Sequence, residues 1–404
     1  MGPSSTMSSL TADRNTGEAP CARRQGGVPL LGMDSDEITQ FLTAMGQKPY
    51  RGRQVAAWIY KHRAHSFAEM TDLPRSLRDR LASHYTFDTL YPQALQVSHD
   101  GLTRKQLFRL ADGTAIETVL MLYDATDTGK ARRTVCVSTQ VGCALGCVFC
   151  ATGQTGLQRN LSSGEIVGQV LYFARQVARH GGNGEPTDDA LQIPGPVYPP
   201  ITNIIFAGMG EPLANYDATL AAVRRLNDAD GFGLGARHMI ISTAGLVPGI
   251  RKLARENVQV SLAVSLHAPS DEVRTRLMPI NRRYPLSELL PACREYVEKT
   301  GRRVAFEYIL IEGINSMPSQ ARQLAALIQG MTCMVNLIPV NPVPGSAFMP
   351  PRRETLIAFQ SILNSAGVTT TVRTEKGREI QAACGQLRGR VAAPPAAETQ
   401  ATGG

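Results

Sequence analysis

TVCVSTQVGCALGCVFC (residues 134–150) begins as a β-branched apolar run and ends in three cysteines, Cys143, Cys147 and Cys150, spaced four and three residues apart. Val and Thr in alternation favour an extended strand, so the cysteines fall in the loop that leaves its C-terminal end. No histidine stands nearby to complete a mixed ligand set. Three soft sulfurs in one tight loop point to a metal centre, because thiolates are the ligands of zinc and iron–sulfur sites. Eight cysteines in 404 residues, three of them in one octapeptide, do not form a disulfide framework; in a reducing compartment such a cluster is metal-binding or catalytic.

Downstream of this strand, apolar strands and amphipathic helices alternate. The helix SSGEIVGQVLYFARQVARH opens with Ser162 and Glu165 spaced as a capping box. Then follow the strand ITNIIFAG (201–208), helix 217–228, strand HMIISTAG (238–245), helix 247–256 and strand VQVSLAVSLH (258–267). Helices around 271–278 and 285–300 precede the strand RVAFEYILIEG (303–313), helix 318–330, strand MVNLIPVNP (334–342) and helix 352–367. Nearly continuous apolar strands separated by helices imply a parallel sheet covered by helices. Six strand–helix units fall short of a closed eight-fold barrel, so the fold class expected is α/β, a partial (βα)6 barrel over residues 131–389.

Upstream, residues 33–95 read as short helices rich in Arg, Lys and His, interleaved with Tyr50, Trp58 and Tyr60. Such a stretch is either an RNA-contacting module or a bundle with a solvated basic face, and charge alone favours the solvated face. TRKQLFRLADGTAIETVLML then alternates about Ala-Asp-Gly and predicts a hairpin within 96–130, on which Glu117 shares a face with Ala115, Val119 and Met121. The polar residues 1–32 are expected to be a disordered leader, 181–200 a surface insertion and 390–404 a disordered tail. Hydrophobic residues at 43% and charged residues at 19% fit a soluble globular chain. No apolar run reaches the roughly 18 residues of a membrane span, and the protein is expected to be cytoplasmic. Lys and Arg exceed Asp and Glu by 42 to 34, which permits a polyanionic partner.

In a parallel barrel, ligands bind at the C-terminal ends of the strands, and the unusual residues of this chain collect there. CALGCVFC follows strand one, GMGEP (208–212) strand two and Ser242 strand three, while SLH (265–267) and NP (341–342) close strands four and six. Structural zinc takes four ligands, but the next cysteine after the loop is Cys293, inside a helix. A cuboidal iron–sulfur cluster on three protein thiolates would leave one iron open to a substrate.

C-x3-C-x2-C after the first strand of a partial barrel resembles the radical S-adenosylmethionine (SAM) enzymes. GMGEP resembles that superfamily's GGEP element, with Met209 in place of a glycine. A closer resemblance is to the RlmN/Cfr family of RNA adenosine methyltransferases. It is carried by ETV (117–119), CVSTQVGCALGCVFCATGQTGLQRNL (136–161), GMGEPL, ISTAG, SLHAP, VNLIPVNPVPG and AACGQL (382–387), and spans roughly 34–389. The resemblance implies a [4Fe-4S] cluster on Cys143, Cys147 and Cys150. It implies SAM contacts from Gly210, Glu211, Ser242, Ser265, Leu266, His267 and Asn341. Cys384 would be the cysteine that is itself methylated, Cys136 its resolving partner and Glu117 the proton acceptor.

The implied activity is methylation of adenosine C2 in 23S rRNA and in tRNA through a methyl-cysteine intermediate. The partners would be these RNAs and an electron donor such as flavodoxin or ferredoxin; a monomer is expected, and no membrane. Within the family the alternative is C8 methylation of the Cfr type. A zinc-stabilised nucleic-acid-binding protein without catalysis is the rival from another class. By residue type alone Cys136, on an apolar strand, and Cys384, before a glycine, would be small buried hydrophobes, as Cys293 and Cys333 are expected to be.

Overall fold

The computed structural model describes residues 28–87, 89–125, 130–180, 199–341, 343, 346–373 and 376–389; the expectations for residues 1–27, 181–198 and 390–404 lie outside them. Residues 28–32, expected to belong to the disordered leader, are part of the fold. β1 (Val28–Pro29) pairs in parallel with β2 (Tyr85–Thr86), and Leu30 and Leu31 are buried. Two leucines beside Pro29 and Gly32 carry no periodic pattern, so only the packing reveals them.

Asp34 caps α1 (Ser35–Ala44) in a reciprocal capping box with Glu37. α2 (Pro49–Tyr60) starts on the proline that the first helical position tolerates, and α3 (Arg75–His84) completes the N-terminal module. The module docks on α4 (Ser163–His180). Gly164 lets the backbones meet: a Cβ there would lie 2.0 Å from the Leu31 carbonyl oxygen. From α4, Arg175 donates to the carbonyls of Arg63 and Ala64 at 2.9 and 2.6 Å.

The Ala-Asp-Gly hairpin forms as its turn chemistry dictates, with Asp112 accepting from the Thr114 amide at 2.9 Å and Gly113 left-handed. It joins β4 (Thr103–Leu110) to β5 (Ala115–Tyr123). A further strand, β3 (Leu90–Val97), pairs with β4 and runs across the expected 95/96 boundary. Its periodicity is hidden because it is a largely exposed edge strand carrying Pro92 and a register shift.

β5 pairs antiparallel with β6 (Arg132–Val137), which begins the parallel run. The chain then makes β7 (Gln140–Cys143), β8 (Gly156–Asn160) and α4, β9 (Asn203–Phe206) and α5 (Tyr216–Asn227), β10 (Met239–Thr243) and α6 (Val247–Leu253). β11 (Ser261–Ser265) is followed by α7 (Asp271–Leu277) and α8 (Leu286–Thr300), β12 (Val304–Leu310) by α9 (Pro318–Leu327), and β13 (Cys333–Pro339) by α10 (Arg353–Ser365). A short last strand, β14 (Thr370–Val372), adds a seventh parallel member that the sequence pattern did not suggest. The main sheet runs β14-β13-β12-β11-β10-β9-β6-β5-β4-β3, so barrel and antiparallel strands form one ten-stranded sheet. Its strands bury Ile204, Val264, Phe306, Val335 and Leu337 completely; each such side chain contributes about 1.5–3 kcal/mol. The partial barrel with an N-terminal helical unit and a connecting hairpin is therefore the observed architecture. No helix among the described residues is long and apolar enough to cross a membrane.

Candidate active site

β6 stops at Val137, before the cysteine loop begins. Gln169 of α4 causes the break by taking both backbone polar groups of Ser138: its Oε1 accepts from the amide at 2.8 Å and its Nε2 donates to the carbonyl at 2.9 Å. The chain turns there and builds a separate hairpin of β7 and β8; Cys143 ends β7, and the connection carries Cys147 and Cys150. Gly142 is left-handed, and a Cβ on it would lie 1.9 Å from the Gly156 carbonyl oxygen; the loop closes only with glycine at this position.

Cys143, Cys147 and Cys150 are partly buried and free. Burial pushes the Cys143 thiol up to about 11 and raises Cys147 and Cys150 as well, and thiolate charge on one cysteine raises its neighbours further. A donor set this reluctant to ionise by itself is one that a bound cation stabilises as thiolates. Among the described residues no group of three or more His, Cys, Asp or Glu converges to hold a single metal ion. Three thiols on one loop are a donor set of the kind that holds an iron–sulfur cluster.

The loops beyond the cysteines interlock. The Glu211 amide donates to Gln140 Oε1 at 2.8 Å, while its carboxylate accepts from the amides of Leu213 (3.0 Å) and Ala244 (2.7 Å). Burial lifts this carboxyl to about 7 against those donors, leaving a group that an ammonium ligand would ionise. Gly210 serves packing: a Cβ on it would lie 2.5 Å from Gln140 Cβ. Ser242, Ser265 and His267 line one cavity with Phe149, Cys150 and Cys384. Leu266 does not; its side chain is fully buried. His267 has a left-handed backbone, φ 60°, strain that functional sites hold in place. The Ile309 amide donates to its Nδ1 at 3.0 Å, and burial drives its pKa down to about 3, so the ring is neutral with its proton on Nε2.

Sequence reading missed Arg274, one of two basic residues on α7. Its side chain is wholly buried and donates to the carbonyls of Leu266 (3.1 Å), Ala244 (2.8 Å) and Ser265 (3.1 Å) and to Asn281 Oδ1 (2.7 Å). One guanidinium thus ties together the loops after β10 and β11. Arg274→Met should cost about 3 kcal/mol or more, since each buried acceptor left without a donor costs roughly 1–3 kcal/mol. A thermal melt checks this, and an unchanged melting temperature would refute the pinning role.

Cys136 and Cys384 line a second cavity together with Cys150, Asn341, Tyr123, Arg373 and others. Cys136 lies on β6 opposite Val119 and Ile205; burial, then the Cys384 thiol, pushes it up to about 12, and the Arg373 guanidinium works against both. Cys384 is exposed and neither cysteine is disulfide-bonded. Asn341 Nδ2 donates to the Cys384 carbonyl at 3.3 Å, and its buried Oδ1 has no partner among the described residues, an acceptor left over for a ligand. Glu117 does not line this cavity; its carboxylate is held by Lys105 and by the amides of Arg388 and Gly389.

A partial parallel barrel with three cysteines looped from its first strand, and a glycine–glutamate element after its second, defines a radical SAM enzyme. Residues 137–318 match the radical SAM superfamily, and residues 28–86 match the ribosomal RNA large subunit methyltransferase N-terminal domain. The crystal structure of a radical SAM methyltransferase from Sphaerobacter thermophilus superposes with a TM-score of 0.82 at 47% identity, covering 90% of this chain and 100% of that one. A probable dual-specificity RNA methyltransferase RlmN from Roseiflexus castenholzii is 48% identical over 92% of this chain and 99% of its own length. Its counterpart from Chloroflexus aurantiacus is 49% identical over 89% and 92%. The chain belongs to the RlmN family of dual-specificity RNA methyltransferases and is a radical SAM RNA methyltransferase, using a [4Fe-4S] cluster and SAM.

Proposed function

We propose that this enzyme methylates C2 of adenosine in 23S rRNA and in tRNA, with Cys384 carrying the one-carbon unit. The observation that supports this most directly is that Cys136 and Cys384, far apart in sequence, share one cavity with Cys150 of the cluster loop. Adenine C2 is an electron-poor carbon, so a direct polar transfer of a methyl cation to it should fail, and a carrier is needed. When bound, the cluster and SAM supply a methyl group for a thiolate and a 5′-deoxyadenosyl radical for hydrogen abstraction. Cys143, Cys147 and Cys150 would hold the cluster. Asn341 and the Glu211, Ser242, Ser265–His267 loops would hold SAM, with Gly210 supporting them. The Cys384 thiolate accepts the methyl group, and after loss of a hydrogen atom its methylene carbon bonds to C2.

Glu117 takes the C2 proton, which requires the Arg388 and Gly389 amides to release its Oε2. Cys136 then attacks the Cys384 sulfur: the S–S bond forms as the bond from that sulfur to the methylene carbon breaks. The proton given up by Cys136 completes the methyl group, and the one electron left over would return to the oxidised cluster. Burial keeps Cys136 a thiol, and the Arg373 guanidinium works towards its ionisation. The electron source proposed is a flavodoxin or ferredoxin. Nucleoside mass spectrometry of rRNA and tRNA from cells with and without the gene tests substrate and regiochemistry together. Loss of 2-methyladenosine from both RNAs is expected, and loss of 8-methyladenosine would assign the Cfr-type reaction instead.

The N-terminal module is proposed to grip RNA with its exposed cations. Arg51 is not one of them, since it donates to the Asp72 carbonyl and to Gln54; Lys48, Arg53 and Lys61 are exposed. Replacing these three by Gln should weaken RNA binding and flatten its salt dependence, because fewer counterions are released. SAM cleavage without RNA should be unaffected. Unchanged affinity across a salt titration would make this a merely solvated face.

A further inference from the structure

Lys105 lies outside every motif that carries the family resemblance, yet it is a buried lysine, 8% exposed, on the middle of β4. Buried ammonium groups need partners, and its partners are informative. Its Nζ lies 3.1 Å from Glu117 Oε1 and donates to the Gln381 carbonyl at 3.3 Å. The other carboxylate oxygen of Glu117 accepts from the Arg388 and Gly389 amides at 2.6 and 3.1 Å. The ion pair therefore grips the Cys384 segment on both sides of the cysteine.

Between those grips the segment is tied to the cluster loop. The Ala151 amide donates to the Gly385 carbonyl at 2.7 Å, and Thr152 Oγ1 donates to the Leu387 carbonyl at 2.6 Å. The segment cannot hold this course alone. Gln381 is one of three non-glycine residues with positive φ among the described residues, at 52°, and Gly377, Gly385 and Gly389 are left-handed as well. A left-handed glutamine persists when its surroundings over-determine it, and the Lys105 ammonium on its carbonyl does so.

We infer that Lys105 is a positioning residue for the methyl transfer: acting through Glu117 and Gln381, it latches the Cys384 segment beside the cluster loop. The inference rests on the reading of Cys384 as the carrier. It assigns to Glu117 a structural grip in addition to proton transfer, and it places the latch on the antiparallel hairpin, outside the barrel.

Hydrogen–deuterium exchange of the full-length, cluster-loaded protein tests it, with α4 as the internal reference for the fold. In Lys105→Met, amides of residues 382–389 should exchange at least tenfold faster while those of α4 are unchanged. Methylated Cys384, measured by peptide mass, and methylation of RNA in cells should fall at least tenfold, and Lys105→Arg should restore most of both. Should Lys105→Met also loosen α4, Lys105→Gln, which keeps a donor group but no charge, is measured the same way and should give the same localised acceleration. Unchanged exchange with normal Cys384 methylation in a folded variant overturns the latch. The Cys136→Ala background separates this inference from the carrier reading. If Cys136→Ala traps RNA on the protein and Cys136→Ala with Lys105→Met traps it equally well, the latch is wrong and the carrier reading stands. If Cys136→Ala traps nothing, the carrier reading falls, and the exchange rates alone decide whether the segment is latched.

Discussion

Cys136→Ala protein purified from cells should carry RNA covalently. On a denaturing gel it is expected to run as an upshifted species that ribonuclease collapses to the free chain. Removing this thiol leaves Cys384 able to accept a methyl group and leaves the methylene carbon able to bond to adenine C2. What is lost is the nucleophile that attacks the Cys384 sulfur, so the cycle stops with base and protein joined. Turnover should fall by about 10³-fold or more, as when other enzymes lose a nucleophile. The fold should survive, because Cys136 is a partly buried residue on a strand paired on both sides. Adding Cys384→Ala should abolish the adduct, since no carbon can then reach the RNA. Free Cys136→Ala protein beside normally methylated RNA would refute the resolving role and make Cys136 a packing residue of strand one.

Replacing any one of Cys143, Cys147 and Cys150 by Ala should abolish both iron binding and RNA methylation. The chain offers these three thiolates in one loop, and each lost ligand opens a second iron to solvent. The protein should still fold, for Cys143 ends β7 and Cys147 and Cys150 lie in the β7–β8 connection, all outside the ten-stranded sheet. Local anchors also remain: the Val148 amide donates to the Leu277 carbonyl at 3.1 Å, and Leu145 and Phe149 pack on the cluster of Leu277, Met278 and Ile309. Iron and sulfide analysis after anaerobic purification, the visible absorbance and nucleoside mass spectrometry together give the readout. A triple-Ala protein that kept its iron and methylated RNA would exclude the three-thiolate cluster.

Local pattern was enough to determine the barrel. Nearly continuous apolar strands and amphipathic helices alternate from residue 134 onward, and a parallel α/β sheet directs the loops after its strands to one end. The cysteine loop, GMGEP, Ser242, SLH and Asn341 could therefore be brought together on paper from their positions at strand ends. Pro92 in β3, the brevity of β14 and the unpatterned Leu30–Leu31 blurred three smaller elements, because exposure and short length erase periodicity.

Only the tertiary structure decided how the site is held. Gln169 ends strand one at Ser138, Arg274 binds three loop carbonyls, and Lys105 with Glu117 grips the Cys384 segment. Each of these is a long-range hydrogen bond or ion pair made by a side chain on a neighbouring element. In sequence, Gln169 and Arg274 are polar residues on amphipathic helices and Lys105 a cation on a hairpin, indistinguishable from their solvated neighbours. Burial decides which of them face inward, and burial depends on how the whole sheet and its helices pack.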